Sequence, residues 1–147
     1  IREDSKYIPI TDEAMTRFWI TLEQGVNFVI KNFSRMQGGE IFIPKIPSIL
    51  ITDLARSMTK KIPIKVIGIR PGEKLHETMF TENDSHLTIE FKDHYVITPS
   101  MPNISSNINY KINKLKERGK LLPFGKDYNS KDNDHYLNIR EIQDLMN

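Results

Sequence analysis

The stretch Ile64-Lys-Val-Ile-Gly-Ile-Arg-Pro-Gly-Glu-Lys-Leu-His-Glu77 constrains this chain more than any other, because an apolar run stops abruptly in Arg70-Pro-Gly-Glu73. Residues 64–69 are short, β-branched and bounded by Pro63 and Pro71, so they read as a mostly buried strand. Pro71 and Gly72 turn the chain, and Leu75, His76, Met79 and Phe80 then recur at helical intervals. The pattern predicts strand, tight turn, helix. Free N–H groups and the positive dipole end at such a helix start, with the forked Arg70 cation beside them, suit an anion such as a phosphate. Glu73 then accepts hydrogen bonds from hydroxyl or amide donors of the same ligand. The competing reading is that Arg70 and Glu73 pair across a surface turn.

Tyr7-Ile-Pro-Ile-Thr11 is extended, and Pro9 argues against a central sheet position. A polar stretch over 12–17 leads to Phe18-Trp19. Thr21-Leu-Glu-Gln24 matches a capping box, after which Leu22, Val26, Val29, Ile30 and Phe33 share one helical face. Gly38-Gly39 ends that helix, and the compact run Glu40-Ile-Phe-Ile43 follows as a short strand. Pro44-Lys-Ile-Pro47 is a rigid connector, and a second helix begins near Thr52-Asp53. Residues 81–90 read as a polar loop with little burial, and 94–98 as the last convincing strand. After Ser100 apolar residues thin out, leaving Leu121-Leu122, Phe124 and Tyr128 as points of docking. Asn138 and Glu141 can cap a final helix whose Ile139, Ile142, Leu145 and Met146 form a stripe that needs a partner, on this chain or a neighbouring subunit. Two parts are expected: residues 1–100 as the binding portion, and 101–147 as a polar tail ending in a short docking helix.

Composition narrows the chemistry. A chain of 147 residues has room for one core, and its lack of cysteine excludes disulfides and thiolate catalysis. No apolar run is long enough to span a bilayer, so no membrane partner and a cytoplasmic location are expected. The 21 Lys and Arg are nearly matched by 19 Asp and Glu, which gives no argument for nucleic acid. The start Ile1-Arg-Glu-Asp-Ser-Lys6, without cap, signal or anchor, reads as a cut through a longer chain.

Tyr110-Lys-Ile-Asn-Lys114 has the Tyr-x-x-x-Lys spacing used to lower a tyrosine pKa, but it lies in the solvated tail with nothing beside it to hold a nicotinamide. We read it as coincidence. His86 and His94, near Glu90 and Asp93, match no zinc spacing, and no metal site is expected. His76 needs a ligand pose before it can be named an acid or base. Arg17 precedes Phe18-Trp19, so aromatic burial anchors its backbone while its side chain is free to enter a cleft; a salt bridge to Asp12 or Glu13 is the alternative. Two arginines on rigid elements match the two charged groups of a diphosphate.

Four ordered motifs, Pro9-Ile-Thr-Asp12, Met15-Thr-Arg-Phe-Trp-Ile20, Gly38-Gly-Glu-Ile-Phe-Ile-Pro-Lys45 and Ile69-Arg-Pro-Gly-Glu-Lys-Leu-His-Glu77, together resemble the carboxy-terminal half of the inverting UDP-N-acetylglucosamine 4,6-dehydratases. Ser85-His86, residues 91–99 and Asn133-Asp-His-Tyr-Leu137 resemble that family's tail. The resemblance implies an α/β fold, the substrate-binding part of an extended short-chain dehydrogenase/reductase including the last helix and strand of its Rossmann layer. It further implies a lyase with NADP bound mainly by a preceding half, acting in pseudaminic acid and flagellar glycan synthesis, and a homo-oligomer when complete. In that reaction hydride leaves sugar C4, the C5 proton and the C6 hydroxyl are lost, hydride returns to C6, and C5 is reprotonated on the other face. The implied UDP-sugar cradle places Arg17 and Arg70 on the diphosphate, Glu73 on ribose hydroxyls, and Ile10 and Thr11 along the uracil. No catalytic motif of the family has a match here, so no catalytic residue is assigned and the chain alone is expected to be inactive. A non-catalytic nucleotide-sugar-binding or assembly module, and another dehydratase or epimerase of the superfamily, remain the alternatives.

Overall fold

A computed structural model describes residues 6–100 and 108–146. The first five residues of the sequence, on which the reading of the chain start rests, lie outside them. In chain order the elements are β1 (Ile8–Ile10), β2 (Thr16–Phe18), α1 (Leu22–Arg35), β3 (Ile41–Pro44), β4 (Ser48–Leu50), α2 (Ile51–Met58) and β5 (Ile64–Val66). There follow β6 (Thr78–Phe80), a 3-10 turn (Glu82–Leu87), β7 (Thr88–Glu90), β8 (His94–Ile97), β9 (Lys120–Leu121), β10 (Tyr128–Asn129) and α3 (Ile139–Met146). Contacts divide the chain into two units, one of residues 1–19, 46–77 and 129–147 and the other of 20–45 and 78–128. The compositional break after Ser100 marks where apolar residues thin out, while the contacts assign 108–128 to one unit and 129–146 to the other.

In the first unit β1 pairs in parallel with β5, and β2 pairs antiparallel with β4. Ile8, Ile10 and Ala55 are buried together with Ile51, Ile62 and Ile64 against them. A second cluster joins Ile49, Leu137 and Ile142 to Trp19, Leu54 and Leu145, so the stripe on α3 finds its partner on this chain. Asn138 and Glu141 cap α3 reciprocally: the Glu141 N–H donates to Asn138 Oδ1 at 3.1 Å and the Asn138 N–H to Glu141 Oε2 at 2.8 Å. Pro9 sits in a strand paired on one side only, where a missing N–H is tolerated.

Three expectations for this unit are corrected. The strand after Pro63 ends at Val66 rather than residue 69 and is not mostly buried, since Ile67 and Ile69 are 45% and 47% exposed. Among the described residues β1 is its one strand partner, so its other edge is unpaired. No helix follows Gly72 either; the chain bends and enters β6. The cause is local. The carbonyls of Lys74 and Leu75, which a helix would use internally, accept instead from Arg17 and from the Thr16 N–H. The polar stretch before Phe18 likewise becomes β2, because its backbone pairs with β4.

The second unit is built on the antiparallel sheet β3-β8-β7-β9. Ile89, Phe91, Val96 and Tyr110 form its core with Phe42 and Ile108. Residues 81–90 are therefore more than a polar loop: Ser85 and Thr88 are fully buried and Ile89 is 3% exposed. The tail docks through Tyr110 and Tyr128, whereas Leu121 and Phe124 remain exposed. β9 crosses β7 closely at Gly119, where an added Cβ would lie 2.5 Å from Ile89 Cγ2, so only glycine fits.

The Thr21–Gln24 capping box forms as expected and starts α1. That helix is tied to the unit through its polar side. Arg35, fully buried, donates from Nε to Glu117 at 2.8 Å, from Nη1 to Asn32 Oδ1 at 3.2 Å and from Nη2 to Asp93 at 2.7 Å. Asp93 also accepts from Lys31 and lies 2.7 Å from Nδ1 of His94, whose ring stacks on Phe91. The apolar face is open: Leu22 is 86% exposed, Phe33 69% and Ile30 61%, and a groove of about 520 Å³ runs along Leu22, Val26, Val29 and Ile30. An apolar stripe of this size on a water-exposed helix marks a contact surface.

Two outcomes follow from this arrangement. Residues 1–147 produced alone will be poorly stable and self-associate, and Val29→Lys with Phe33→Lys will reduce the association in analytical ultracentrifugation; a monomer with a sharp cooperative melt would contradict the assignment. The second concerns acid. Burial holds His94 below its ordinary 6.5, with Arg35 adding to the effect against the Asp93 hydrogen bond. Asp93 loses solvation on burial, but bonds from Arg35, His94 and Lys31 outweigh that and hold it well below its ordinary 3.8; the Arg35 bond leads in lowering Glu117 from 4.5. All three bind protons less readily folded than unfolded, so stability is complete above pH 6.5 and falls as pH drops, first through His94 and then more steeply through the carboxylates. Urea midpoints should show the two stages, and His94→Phe should remove the first and make the second shallower, because Asp93 then loses one of the bonds that hold its pKa down.

Candidate functional site

The residues singled out in the sequence lie in the first unit, around the segment 70–77. Arg70, Pro71, Gly72 and Glu73 form a tight turn in which the Glu73 N–H donates to the Arg70 carbonyl at 3.0 Å, with Gly72 at φ 81°. That left-handed conformation is open to glycine at little cost. The Glu73 carboxylate turns back on the same loop, accepting from the Arg70 N–H at 3.2 Å. Its other oxygen lies 3.4 Å from the Thr11 hydroxyl, which is also 3.1 Å from Met15 Sδ and has one proton to give to either. The Arg70 side chain is exposed and has no ion-pair or hydrogen-bond partner among the described residues.

Arg17 behaves differently from an exposed cation. Nη1 donates to the carbonyls of Thr16 at 2.7 Å and Leu75 at 3.2 Å, Nη2 donates to Lys74 at 2.9 Å, and Nε lies 3.5 Å from Glu77 Oε1. One Nη2 hydrogen is left over. The expected partners Asp12 and Glu13 are not used; the Asp12 carboxylate accepts from the Ala14 N–H instead. Since Arg17 grips Lys74, which adjoins Glu73, the structure brings Arg17, Glu73, Arg70 and Thr11 into one neighbourhood. Ile10 stands apart. It is 4% exposed within the β1 core and its carbonyl accepts from the Ile67 N–H, so it offers neither group at the surface.

Residues the sequence reading missed complete the support. Thr16 Oγ1 lies 2.8 Å from His76 Nδ1 and 2.6 Å from Ser130 Oγ, and Ser130 brackets Glu77 with bonds to its N–H and carbonyl. Thr16 stood next to Arg17 in a quoted motif and was findable there. Ser130, in a polar tail without periodicity, carried no signal. The Tyr110 pair is set aside by geometry as well: Tyr110 is buried and its hydroxyl donates to the Gly38 carbonyl at 2.7 Å. Among the described residues no three His, Asp or Glu side chains gather as metal ligands, and no helix is long and apolar enough to cross a membrane.

The fold is α/β, with the arginine-bearing strand β2 stitched to the segment that follows an exposed turn. The chain belongs to the polysaccharide biosynthesis protein family, whose model matches residues 1–99. It is 50% identical over its whole length to a UDP-N-acetylglucosamine 4,6-dehydratase (inverting) of Campylobacter jejuni, of which it spans 44%. A UDP-glucose 4-epimerase of Rickettsia canadensis is 31% identical over 98% of the chain and 42% of the relative. Among solved structures, Pen from Bacillus thuringiensis superposes with a TM-score of 0.77 at 30% identity, over 98% of this chain and 42% of that one. The chain thus spans less than half the length of the proteins it matches.

The carbonyl grip of Arg17 predicts a local consequence. Arg17→Met, which keeps the stem and removes the donors, should speed amide exchange at Thr16 and Glu77 about tenfold or more, as expected for losing bonds worth about 1–2 kcal/mol. Cooperative unfolding should persist; unchanged exchange at both amides would show that the grip does not hold the segment.

Proposed function

We propose that this chain is the substrate-binding portion of an NADP-dependent UDP-N-acetylglucosamine 4,6-dehydratase of the inverting type, an extended short-chain dehydrogenase/reductase acting in pseudaminic acid and surface polysaccharide synthesis. The observation that carries the reading is the turn of residues 70–73, where Arg70, whose guanidinium has no partner among the described residues, shares a tight turn with a Glu73 carboxylate fixed by the Arg70 N–H. A cation and an acceptor so placed complement a diphosphate and the hydroxyls of the attached ribose. Arg70 and the spare hydrogen of Arg17 take the diphosphate, Glu73 the ribose, and Thr11 the edge of the uracil, with Ile10 supporting Thr11 from the core. The 50% identity to the inverting dehydratase over the whole chain supports this ligand over other anions.

The residues of this chain do not fit the nicotinamide cofactor. It has no Gly-rich strand-turn-helix, and the tyrosine of its single Tyr-x-x-x-Lys pair is buried with its hydroxyl bonded to the Gly38 carbonyl. Redox and elimination steps therefore belong to polypeptide outside these 147 residues, and this part binds and orients. The epimerase relative favours a second reading, in which the same cradle serves another nucleotide-sugar enzyme of the superfamily. Calorimetric titration of the complete natural polypeptide with UDP tests the assignment. Arg70→Ala should weaken binding by about 1.5–3 kcal/mol, the range for a lost hydrogen bond to a charged group. Equal affinity in parent and variant would overturn it.

A further inference from the structure

His76 is held by one hydroxyl, which is bonded to a second, and both scarcely meet water. Thr16 is 3% exposed and Ser130 is fully buried, their oxygens are 2.6 Å apart, and Thr16 Oγ1 lies 2.8 Å from His76 Nδ1. Ser130 is fixed in turn: its Oγ accepts from the Glu77 N–H at 2.9 Å, its N–H donates to the Glu77 carbonyl at 2.8 Å, and its carbonyl accepts from the Tyr136 hydroxyl at 2.7 Å. The backbone on either side of the ring is pinned as well, at Leu75 by Arg17 and Thr16 and at Glu77 by Ser130. Buried hydroxyls must be hydrogen-bonded, and apolar residues of the same size would fill this space without that requirement. What the hydroxyls add is an imidazole gripped by one nitrogen. The other nitrogen, Nε2, has no partner among the described residues, on a side chain that is half-buried. Holding one ring nitrogen decides what the other presents.

We propose that His76 is a ligand-contacting residue, with Thr16 donating to Nδ1 and the Nε2–H donating to an oxygen of the bound nucleotide sugar, and that Thr16 and Ser130 are positioning residues. This rests on the nucleotide-sugar reading above and extends it to the segment that carries Arg70 and Glu73. The contact adds a directional donor to the charge of Arg70, and so selects among anions that Arg70 alone would accept.

The test is calorimetric titration of the complete natural polypeptide with UDP and with UDP-N-acetylglucosamine. His76→Asn retains an amide that reaches Thr16 but falls short of the ligand, and should lose about tenfold in affinity. His76→Gln, which reaches the Nε2 position, should lose less. Thr16→Val should weaken binding severalfold, and Thr16→Ser, which restores the hydroxyl, should recover it. A loss for both ligands places the contact on the shared uridine diphosphate and a loss for the sugar nucleotide alone places it on the sugar; either supports the proposal. If Thr16→Val and His76→Asn lower the melting temperature while both keep parental affinity, the network is structural only and the proposal fails. Should the variants not fold, ring 15N NMR of the unaltered protein decides: UDP-N-acetylglucosamine should move the His76 Nε2 resonance, and an unmoved resonance overturns the contact. Weakening by Arg70→Ala without any effect at His76 would sink this inference alone, whereas a parent that binds neither ligand would sink both.

Discussion

The candidate site depends on carbonyl groups finding donors outside their own segment. Lys74 and Leu75 sit where side-chain spacing favours a helix, yet their oxygens are satisfied by the Arg17 guanidinium and the Thr16 amide. A guanidinium has five donors in a planar fork, so a single arginine can hold several backbone oxygens at once in fixed directions. The result is a segment extended rather than coiled, with its later half pinned to β2 and to Ser130 and its earlier half, the turn at Arg70, left at the surface. Rigid support behind an exposed turn is the arrangement a binding loop requires.

A different use of arginine organises the second unit. Arg35 is removed from water and joined to two carboxylates and an amide, fastening the end of α1 beside the β7–β8 hairpin and the turn at residues 113–117. Such a network is worth little beyond its own desolvation when intact but is costly to break on one side. It leaves the helix attached by its polar face while Leu22, Val26, Val29, Ile30 and Phe33 face outward. The helix is thus attached by one face and open along the other.

Much of the local structure was legible. The capping boxes at Thr21 and Asn138 are contained within four residues each and need no tertiary help, so both were visible in the sequence. The α3 stripe and the β1 edge placement were visible for the same reason. Residues 81–90 were misread because the run is polar by composition, while Thr88 and Ser85 are buried through hydroxyl bonds to the Asp84 and Glu82 carbonyls. Of the candidate site, Arg17, Arg70, Glu73 and Thr11 were findable from motif and charge; Ser130 was not, because its importance comes from a contact with a residue 114 positions away.

By itself the sequence determined where most turns, caps and amphipathic faces occur, since these are set by neighbours within a few residues, and it determined which cations stand near the turn at residues 70–73 in the chain or in its motifs. Only the tertiary structure decided that residues 73–77 would not be a helix, that Ile10 belongs to the core, and that Arg17 is largely committed to carbonyls while Arg70 is not. The reason is that hydrogen-bond partners drawn from distant strands compete with local ones, and the winner is settled by which groups the fold brings within about 3 Å.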